Sequence, residues 1–538
     1  MKRIDNSLFH VMRQSYDYIV IGGGMYGGYF ATKVAEKSGY SSRILLIEKG
    51  DFKIWTHHDN MPKQMDVYTS LFNSIPYRAT LNGKVKDKVS PDIQRLGGKS
   101  LAWGKWSPRL SDEALKAWPE AIQAKMGQWY DEVENDLNIE CTKALFQNSA
   151  FDTVKGLFAG KIETLGEPMP PPIAILSKSI HDDHNPQGAY SVVPGLLDAK
   201  QKSGLASGCI DILLNSSVRR LNKDESGSVA TIVLAGAKPS IKVGQAQVIL
   251  ASGLADSTRL GATASDNPLI GQNLKTHFRS NVMVKAKASD TDFTDMNLKV
   301  GMHIPGRYNG RDYHFQFGLT KKNRDRDLMA DAVEFTLFIV GEKGSNSSTL
   351  DPATARVNWN ITAEDDQFMQ FITGKGRELA FILFGGIKLL WQNNKGDWVD
   401  HIHEISDHYE PVSSSYHESS SMIMGNDLET SVVNPLCRFH DIENLYCIGQ
   451  SVFPANGSSN PVPTGMAMAL NVIDSTLRRK KIDSIRVQAR QLSGSTETVP
   501  LRSRGSEFTL TSKSIEDATV HMSGASIKLT SGIKYFFS

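Results

Sequence analysis

The sequence predicts an α/β fold joined to an antiparallel β part, on three observations. An apolar run, a glycine-rich turn and an amphipathic stretch follow one another in residues 16–50, "YDYIVIGGGMYGGYFATKVAEKSGYSSRILLIEKG". Apolar strand-like runs return between residues 209 and 253. From 280 to 362 the pattern turns to alternation, the period of a sheet with one covered face.

In the first unit, Tyr18–Ile21 is a short, largely β-branched run fit for a buried strand, and residues 29–37 mix apolar and charged side chains at helical spacing. Five glycines crowd into residues 22–28 between them. Gly22, Gly24 and Gly27 fit G-x-G-x-x-G, where the first allows a tight turn, the second a close approach of pyrophosphate, and the third close packing of helix on strand. A second run, 43–47, ends at Glu48, where this fingerprint places a carboxylate that accepts hydrogen bonds from a ribose 2′-OH. A ligand-free βα turn needs only the glycines; strand, turn, helix, strand and acid together point to a dinucleotide. The motif does not separate FAD from NAD.

Residues 51–205 lack a clear period and read as a long excursion. Within them, 111–140 return to helical spacing with Leu115, Trp118, Ile122, Met126, Trp129 and Val133 on one packing face. "CIDILLNSSVRRLNKDESGSVATIVLAG" and "AQVILASG" read as strands that rejoin the first sheet. "DYHFQFGL", "VEFTLFIVG" and "ARVNWNIT" read as strands of one antiparallel sheet in a second domain. "GMAMALNVIDSTLRRKK" is a helix by period, with the basic cluster at 478–481 placed at its C-terminal end, where cations suit the dipole. Residues 482–538 are rich in Ser, Thr and Gly and read as a β-rich appendage or a tail. No repeat of fixed period is found.

The chain has 538 residues, room for more than one domain, and 40% hydrophobic with 22% charged residues is ordinary for a globular protein. Lys+Arg 60 against Asp+Glu 58 leaves a net charge of +2, no field that would gather nucleic acid or an anionic membrane, so small neutral substrates are expected. Cys141, Cys209, Cys437 and Cys447 are scattered without a C-x-x-C, which argues against a disulfide framework and a zinc site. The start of the chain lacks an apolar signal core and no stretch approaches about eighteen uncharged apolar residues. A soluble, cytoplasmic protein is the expectation.

Four separated stretches resemble one family. Besides the first unit these are "GGKSLAWGKW" at 97–106, "HESSSMIMG" at 417–425 and "LYCIGQSVFPANGSSNPVPTGMAMAL" at 445–470; "PLIGQNLKTHF" and "STLDPATARVNWNITAEDD" are weaker echoes. Together they resemble the glucose–methanol–choline (GMC) oxidoreductases, the pyranose oxidase-like branch more than the glucose oxidase one, over residues 16–480. The resemblance implies a Rossmann-like FAD-binding domain built from discontinuous segments, 16–280 with the excursion 51–205 and then 426–481. A substrate domain on a large antiparallel sheet takes 281–425, and 482–538 falls outside. It also implies that Gly97, Gly98, Ser100, Trp103 and Gly104 approach the pyrophosphate and flavin edge, that Val218 holds the adenine through its backbone, and that Gly449, Gln450 and Pro461 border the cofactor. Some members attach the flavin to a histidine in the 97–106 loop; the matching position is Ala102, which cannot form that bond, so dissociable FAD is expected.

Oxidising an alcohol with a flavin moves a hydride to flavin N5 while a base takes the hydroxyl proton. A histidine suits the task, since its ordinary pKa lies near neutrality. The family's base opens H-x-x-G-T-x-x-M, and its partner is a histidine or asparagine in a later loop; here the matches are His417 and Asn460. Asn460 precedes Pro461, which biases it toward a defined loop. The sequence departs from the pattern at Ser420 and Ser421, where the family shows Gly and Thr. Glu418 beside the base either tunes the histidine's pKa or faces solvent, and the solvent-facing reading is preferred. His401 and His403 in "HIHEISDH" lack a ligand set, and no metal is expected. The implied reaction is oxidation of a secondary hydroxyl of a small molecule, a sugar or glycoside among the candidates, with O₂, a quinone or another carrier as electron acceptor. The alternatives are a FAD-containing biosynthetic enzyme doing non-oxidative or ring-forming chemistry and a non-catalytic nucleotide-binding protein. Oligomeric state is left open.

Overall fold

The structure is a computed structural model that describes residues 15–62, 67–72, 79–86, 92–176, 188–202, 209–293, 298–325, 330–400, 416–491, 498–503, 506–514, 517–522 and 525–530. In chain order, the elements that position the site are β1 (Tyr18–Ile21), α1 (Met25–Lys37), β2 (Ile44–Ile47), β3 (Ile210–Leu213), β4 (Gln247–Leu250), β5 (His277–Lys287), β6 (Lys299–Tyr308), β7 (Arg311–Asp325), β8 (Ala330–Glu342), α2 (Ala363–Phe384), β9 (Leu445–Cys447) and α3 (Val462–Gln491).

A five-stranded sheet in the order β9-β4-β1-β2-β3 is parallel throughout. Its strands β1 and β2 are apolar and buried at every position, as covering both faces of a parallel sheet requires. Of the strands expected to rejoin this sheet, Ile210–Leu213 and Gln247–Leu250 do so as β3 and β4. The run between them does not: Val218–Lys223 and Val229–Leu234 pair with Ile241–Lys242 in a separate three-stranded sheet. The helical spacing at 111–140 is interrupted at Pro119, which caps the helix Glu120–Asp136 and separates it from Asp112–Leu115. Trp118, Ile122, Met126, Trp129 and Val133 are buried as the period requires.

The second sheet is antiparallel, in the order β6-β7-β8-β5 followed by Leu390–Gln392 and Trp398–Val399. Alternation gives it two unlike faces. Val282, Met302, Ile304, Phe315, Phe335, Leu337 and Ile339 point into an apolar cluster shared with α2 and the helix Ser149–Phe158. His277, Arg279, His314, Gln316 and Val340 occupy the alternate positions, on the opposite face. α2 starts at a capping box in which Thr362 and Asp365 satisfy each other's backbone N–H. The run "ARVNWNIT" does not extend this sheet. Its three-residue strand Val357–Trp359 pairs in parallel with Ala79–Leu81, a partner supplied by the excursion.

By contacts the chain divides into two units, Met1–Val472 and Ile473–Ser538. Strands Thr498–Ser503, Ser506–Ser514, Asp517–Met522 and Ala525–Thr530 form a four-stranded antiparallel meander in the second. The basic cluster 478–481 does not end a helix, because α3 continues to Gln491. No helix among the described residues is long and apolar enough to cross a membrane.

Candidate active site

The glycine turn between β1 and α1 leaves backbone where side chains would collide. Gly22 has φ +105°, and a Cβ there would lie 2.5 Å from the Ala251 carbonyl oxygen. A Cβ on Gly27 would lie 1.9 Å from the Gly22 carbonyl oxygen, so the third glycine holds α1 against the strand end. α1 starts at Gly24 with no side-chain cap and no acid in its first turn. Its free N–H groups and the positive end of its dipole therefore remain for an anion. Across from it, a Cβ on Gly98 would lie 2.9 Å from Gly24 Cα, and Gly97 and Gly98 have φ +100° and +49°. Two bare backbones thus abut beside an uncapped helix start, a cradle that fits a dinucleotide pyrophosphate. Glu48 closes the motif: its carboxylate accepts from the N–H of Gly23 and of Gly50, both at 2.8 Å. Burial raises its pKa, and those two bonds oppose the rise.

One cavity of about 740 Å³ runs from this cradle to the second sheet. Gly22, Gly24, Glu48, Gly98, Trp103, Gly104, Val218, Gln450 and Pro461 line it, together with His417 and Asn460. The other four residues singled out in the sequence stand behind the wall. Gly27 packs α1, Gly97 carries the left-handed turn, and Ser100 Oγ donates to the Gly97 carbonyl at 2.6 Å. A Cβ on Gly449 would lie 2.3 Å from the ring of Tyr26. Tyr26, which sequence reasoning missed, donates its hydroxyl to Gln450 Oε1 at 2.9 Å and lines the cavity. The Val218 carbonyl accepts from Arg259 at 2.9 Å.

At the far end His417 and Asn460 meet, with Asn460 Nδ2 3.2 Å from His417 Nε2. Gln316 Nε2 donates to Asn460 Oδ1 at 3.2 Å, which turns the asparagine's NH₂ toward the histidine. His417 Nε2 is then the ring atom with the lone pair, and its Nδ1–H donates to His277 Nδ1 at 2.8 Å. Among the described residues His277 Nε2 has no hydrogen-bond partner. Behind them, His314 is bonded to Ser458 and Gln316, at 3.1 and 3.2 Å, and its ring lies 4.9 Å from that of His303. Burial, then the nearby His277, Arg279 and Lys99, hold the His417 pKa well below the usual 6.5. Burial takes His277 and His303 down to about 4, with the Asn456 and Gly457 backbone opposing the fall at His277, and with the neighbouring rings it holds His314 well below 6.5.

The loop after His417 explains its own departures. Ser420 sits at φ +73°, the left-handed conformation that suits the family's glycine; its Oγ donates to the Phe453 carbonyl at 2.5 Å and holds the strained turn. Ser421 Oγ accepts from Thr258 at 2.6 Å. The solvent-facing reading of Glu418 is corrected: the same turn carries it inward, it is buried, and desolvation raises its pKa while Lys99 opposes the rise. His401 and His403 lie outside the described residues. His57, His58 and Asp59 are close enough to suggest a metal, but His57 Nδ1 accepts from the Asp59 N–H and Nε2 bonds the Trp103 carbonyl at 3.1 Å, so both ring nitrogens are committed to the loop.

Residues 306–469 match the family model described as GMC oxidoreductase. A search of curated proteins finds no match. Three solved GMC oxidoreductases share the fold at low identity. Pyridoxine 4-oxidase from Mesorbium loti has a TM-score of 0.58 at 16% identity, over 86% of this chain and 99% of that one. A fungal aryl-alcohol oxidase gives 0.61 at 12%, over 87% and 100%. Formate oxidase from Aspergillus oryzae gives 0.53 at 14%, over 88% and 100%. Residues 306–469 are a GMC oxidoreductase C-terminal domain on the two-part fold of that family, and with the dinucleotide cradle of the first sheet they make the chain an FAD-dependent oxidoreductase of the class that acts on CH–OH groups.

Proposed function

We propose that the protein oxidises a secondary hydroxyl of a small molecule, a sugar or glycoside among the candidates, to a carbonyl, in the manner of the pyranose oxidase-like branch. FAD, when bound, supplies the hydride acceptor. Gly22, Gly24, Gly98 and the start of α1 would hold its pyrophosphate, and Glu48 its ribose. The FAD-binding part takes 16–280 and 426–481, the substrate part 281–425. His417 is the base: its Nε2 lone pair takes the hydroxyl proton. Asn460, held by Gln316, donates its N–H to the substrate oxygen and keeps the hydroxyl proton directed at the ring. Ala102 lines the cavity and offers no nucleophile, so the flavin is held without a covalent bond. Electrons then leave to O₂ or to a quinone or similar carrier.

The single observation that supports this reading most is the 3.2 Å approach of His417 Nε2 and Asn460 Nδ2 on the wall of the cavity that also contains the glycine cradle. Purified protein is expected to be yellow and to release its flavin on acid precipitation. Mixed anaerobically with sugars and secondary alcohols, it is expected to bleach, and His417→Ala to keep its flavin while bleaching about 10²- to 10⁴-fold more slowly. An unaltered rate in His417→Ala removes the histidine from the chemistry.

A further inference from the structure

We propose that the substrate carries a carboxylate and that Arg279 receives it. The inference rests on the reading of this cavity as the site of hydroxyl oxidation, and it deepens that reading by naming the substrate's second functional group.

The observation is a mismatch of charge on the cavity wall. The lining includes Lys49, Lys99, Lys105, Arg259 and Arg279. Lys49 pairs with Asp256, Lys99 with Asp92 at 2.9 Å, Lys105 with Asp59, and Arg259 with Asp256 at 3.4 Å. Arg279 pairs with no carboxylate among the described residues. Its recorded contact is the ring of Phe338, 4.9 Å from the guanidinium carbon. A ring holds a guanidinium from one side and leaves N–H donors free along its edge, the fork that matches a carboxylate bidentately. A half-buried cation without a counter-charge is costly, and an anionic ligand removes that cost.

Position tells which anion. The uncapped start of α1 and the paired glycines already provide for the dinucleotide's pyrophosphate. Arg279 belongs to the other wall, on β5 two residues beyond His277 and on the same face of the strand. His277 is bonded to the base, so Arg279 stands at the reacting end, close enough for its charge to act on His417. Gln316, Thr336, Phe338 and Val340 surround it on the sheet, a mostly apolar wall with few polar groups, as small-ligand sites are built. A hydroxy acid fits this arrangement, with its carboxylate on Arg279 and its hydroxyl between Asn460 and His417.

The test uses flavin-loaded protein and the isosteric pair benzoate and benzamide, with affinities measured by titration calorimetry. Wild type is expected to bind benzoate roughly ten- to a hundredfold tighter than benzamide. Arg279→Met is expected to lose that preference with benzamide affinity unchanged, and Arg279→Lys to keep part of it; Arg279→Gln replaces Met should that variant fail to load flavin. Equal binding of the two probes by wild type, or a preference that survives in Arg279→Met, overturns the proposal. A drop in flavin midpoint potential in Arg279→Met with the preference intact assigns the arginine to the flavin and also overturns it. Failure of the oxidation reading shows separately, as absence of bleaching by any alcohol while the benzoate preference stands.

Discussion

A base is useful only in its neutral form, and His417, the proposed base, is buried in surroundings that keep it neutral. Desolvation, His277, Arg279 and Lys99 all act against its protonation, and Asn460 donates to the same Nε2 that must accept the proton. Since the pKa of His417, the proposed base, lies well below 6.5, lowering the pH through 6.5 does not remove the lone pair. The kcat/KM profile is therefore expected to stay flat through pH 6.5 and to fall only at more acid values, measured as flavin reduction at limiting substrate. A limb centred at or above 6.5 would show that the ring is solvated or that another group is the base. The pair itself was legible in the sequence, because each residue lies inside a contiguous motif. Its supports were not: His277, His314 and Gln316 are placed by strand pairing and lie 140 to 144 positions from the loop residues they bond, and Arg279 shares the strand of His277. Alternation told which residues share a face. It did not tell that this face, rather than the apolar one, borders the cavity, nor that Glu418 is turned inward by a left-handed serine.

Among the elements, the join between β1, α1 and the 97–101 turn has the least tolerance. Gly98 combines a positive φ with a Cβ position 2.9 Å from Gly24 Cα, and neither neighbour is a side chain that can swing away. Gly98→Ala must either strain its own turn, at about 1–3 kcal/mol, or push the turn off the start of α1. Either way the cradle opens, and the variant is expected to purify with little or no flavin. Gly127 in the helix Glu120–Asp136 is the control: it is exposed, a Cβ there meets nothing within 4 Å, and Gly127→Ala is expected to retain flavin and gain about 0.5–1 kcal/mol in urea unfolding. Full flavin in Gly98→Ala would remove this contact from the binding site. The βαβ unit was the most legible part of the fold, since every local signal in it agrees. The misplaced strand Val357–Trp359 shows the limit: three residues of alternation carry no information about a partner from residues 79–81, almost 280 positions away.

At the scale of the whole molecule the site's histidines become a term in stability. His277, His303, His314 and His417 are all buried, His277 and His303 at about pKa 4 and His314 and His417 held well below 6.5, whereas in the unfolded chain each titrates near 6.5. Above 6.5 both states hold these rings neutral and pH has no leverage through them. Below 6.5 the unfolded chain binds protons that the folded protein refuses, and stability falls with each unit of acidification. The slope approaches about 1.4 kcal/mol per pH unit for each ring, so the four together outweigh most single contacts in the protein within one unit. Glu48, Glu342 and Glu418 have pKa values raised by burial; they take up protons ahead of the unfolded chain and oppose the trend at the acid end. The histidine effect is therefore cleanest between pH 7 and 5.5. The melting temperature of the flavin-free protein is expected to be level from pH 8 to 7 and to drop steeply from 6.5 to 5.5, before ordinary carboxylates begin to titrate. Replacing His303 and His314 together by Gln removes two of these rings and is expected to make the drop shallower, with His57, also taken down to about 4 by burial, and the lowered His58 and His440 keeping part of it. A melting temperature indifferent to pH across this window would mean that the rings are hydrated or already charged, and with it the neutral imidazole required of His417 would be lost.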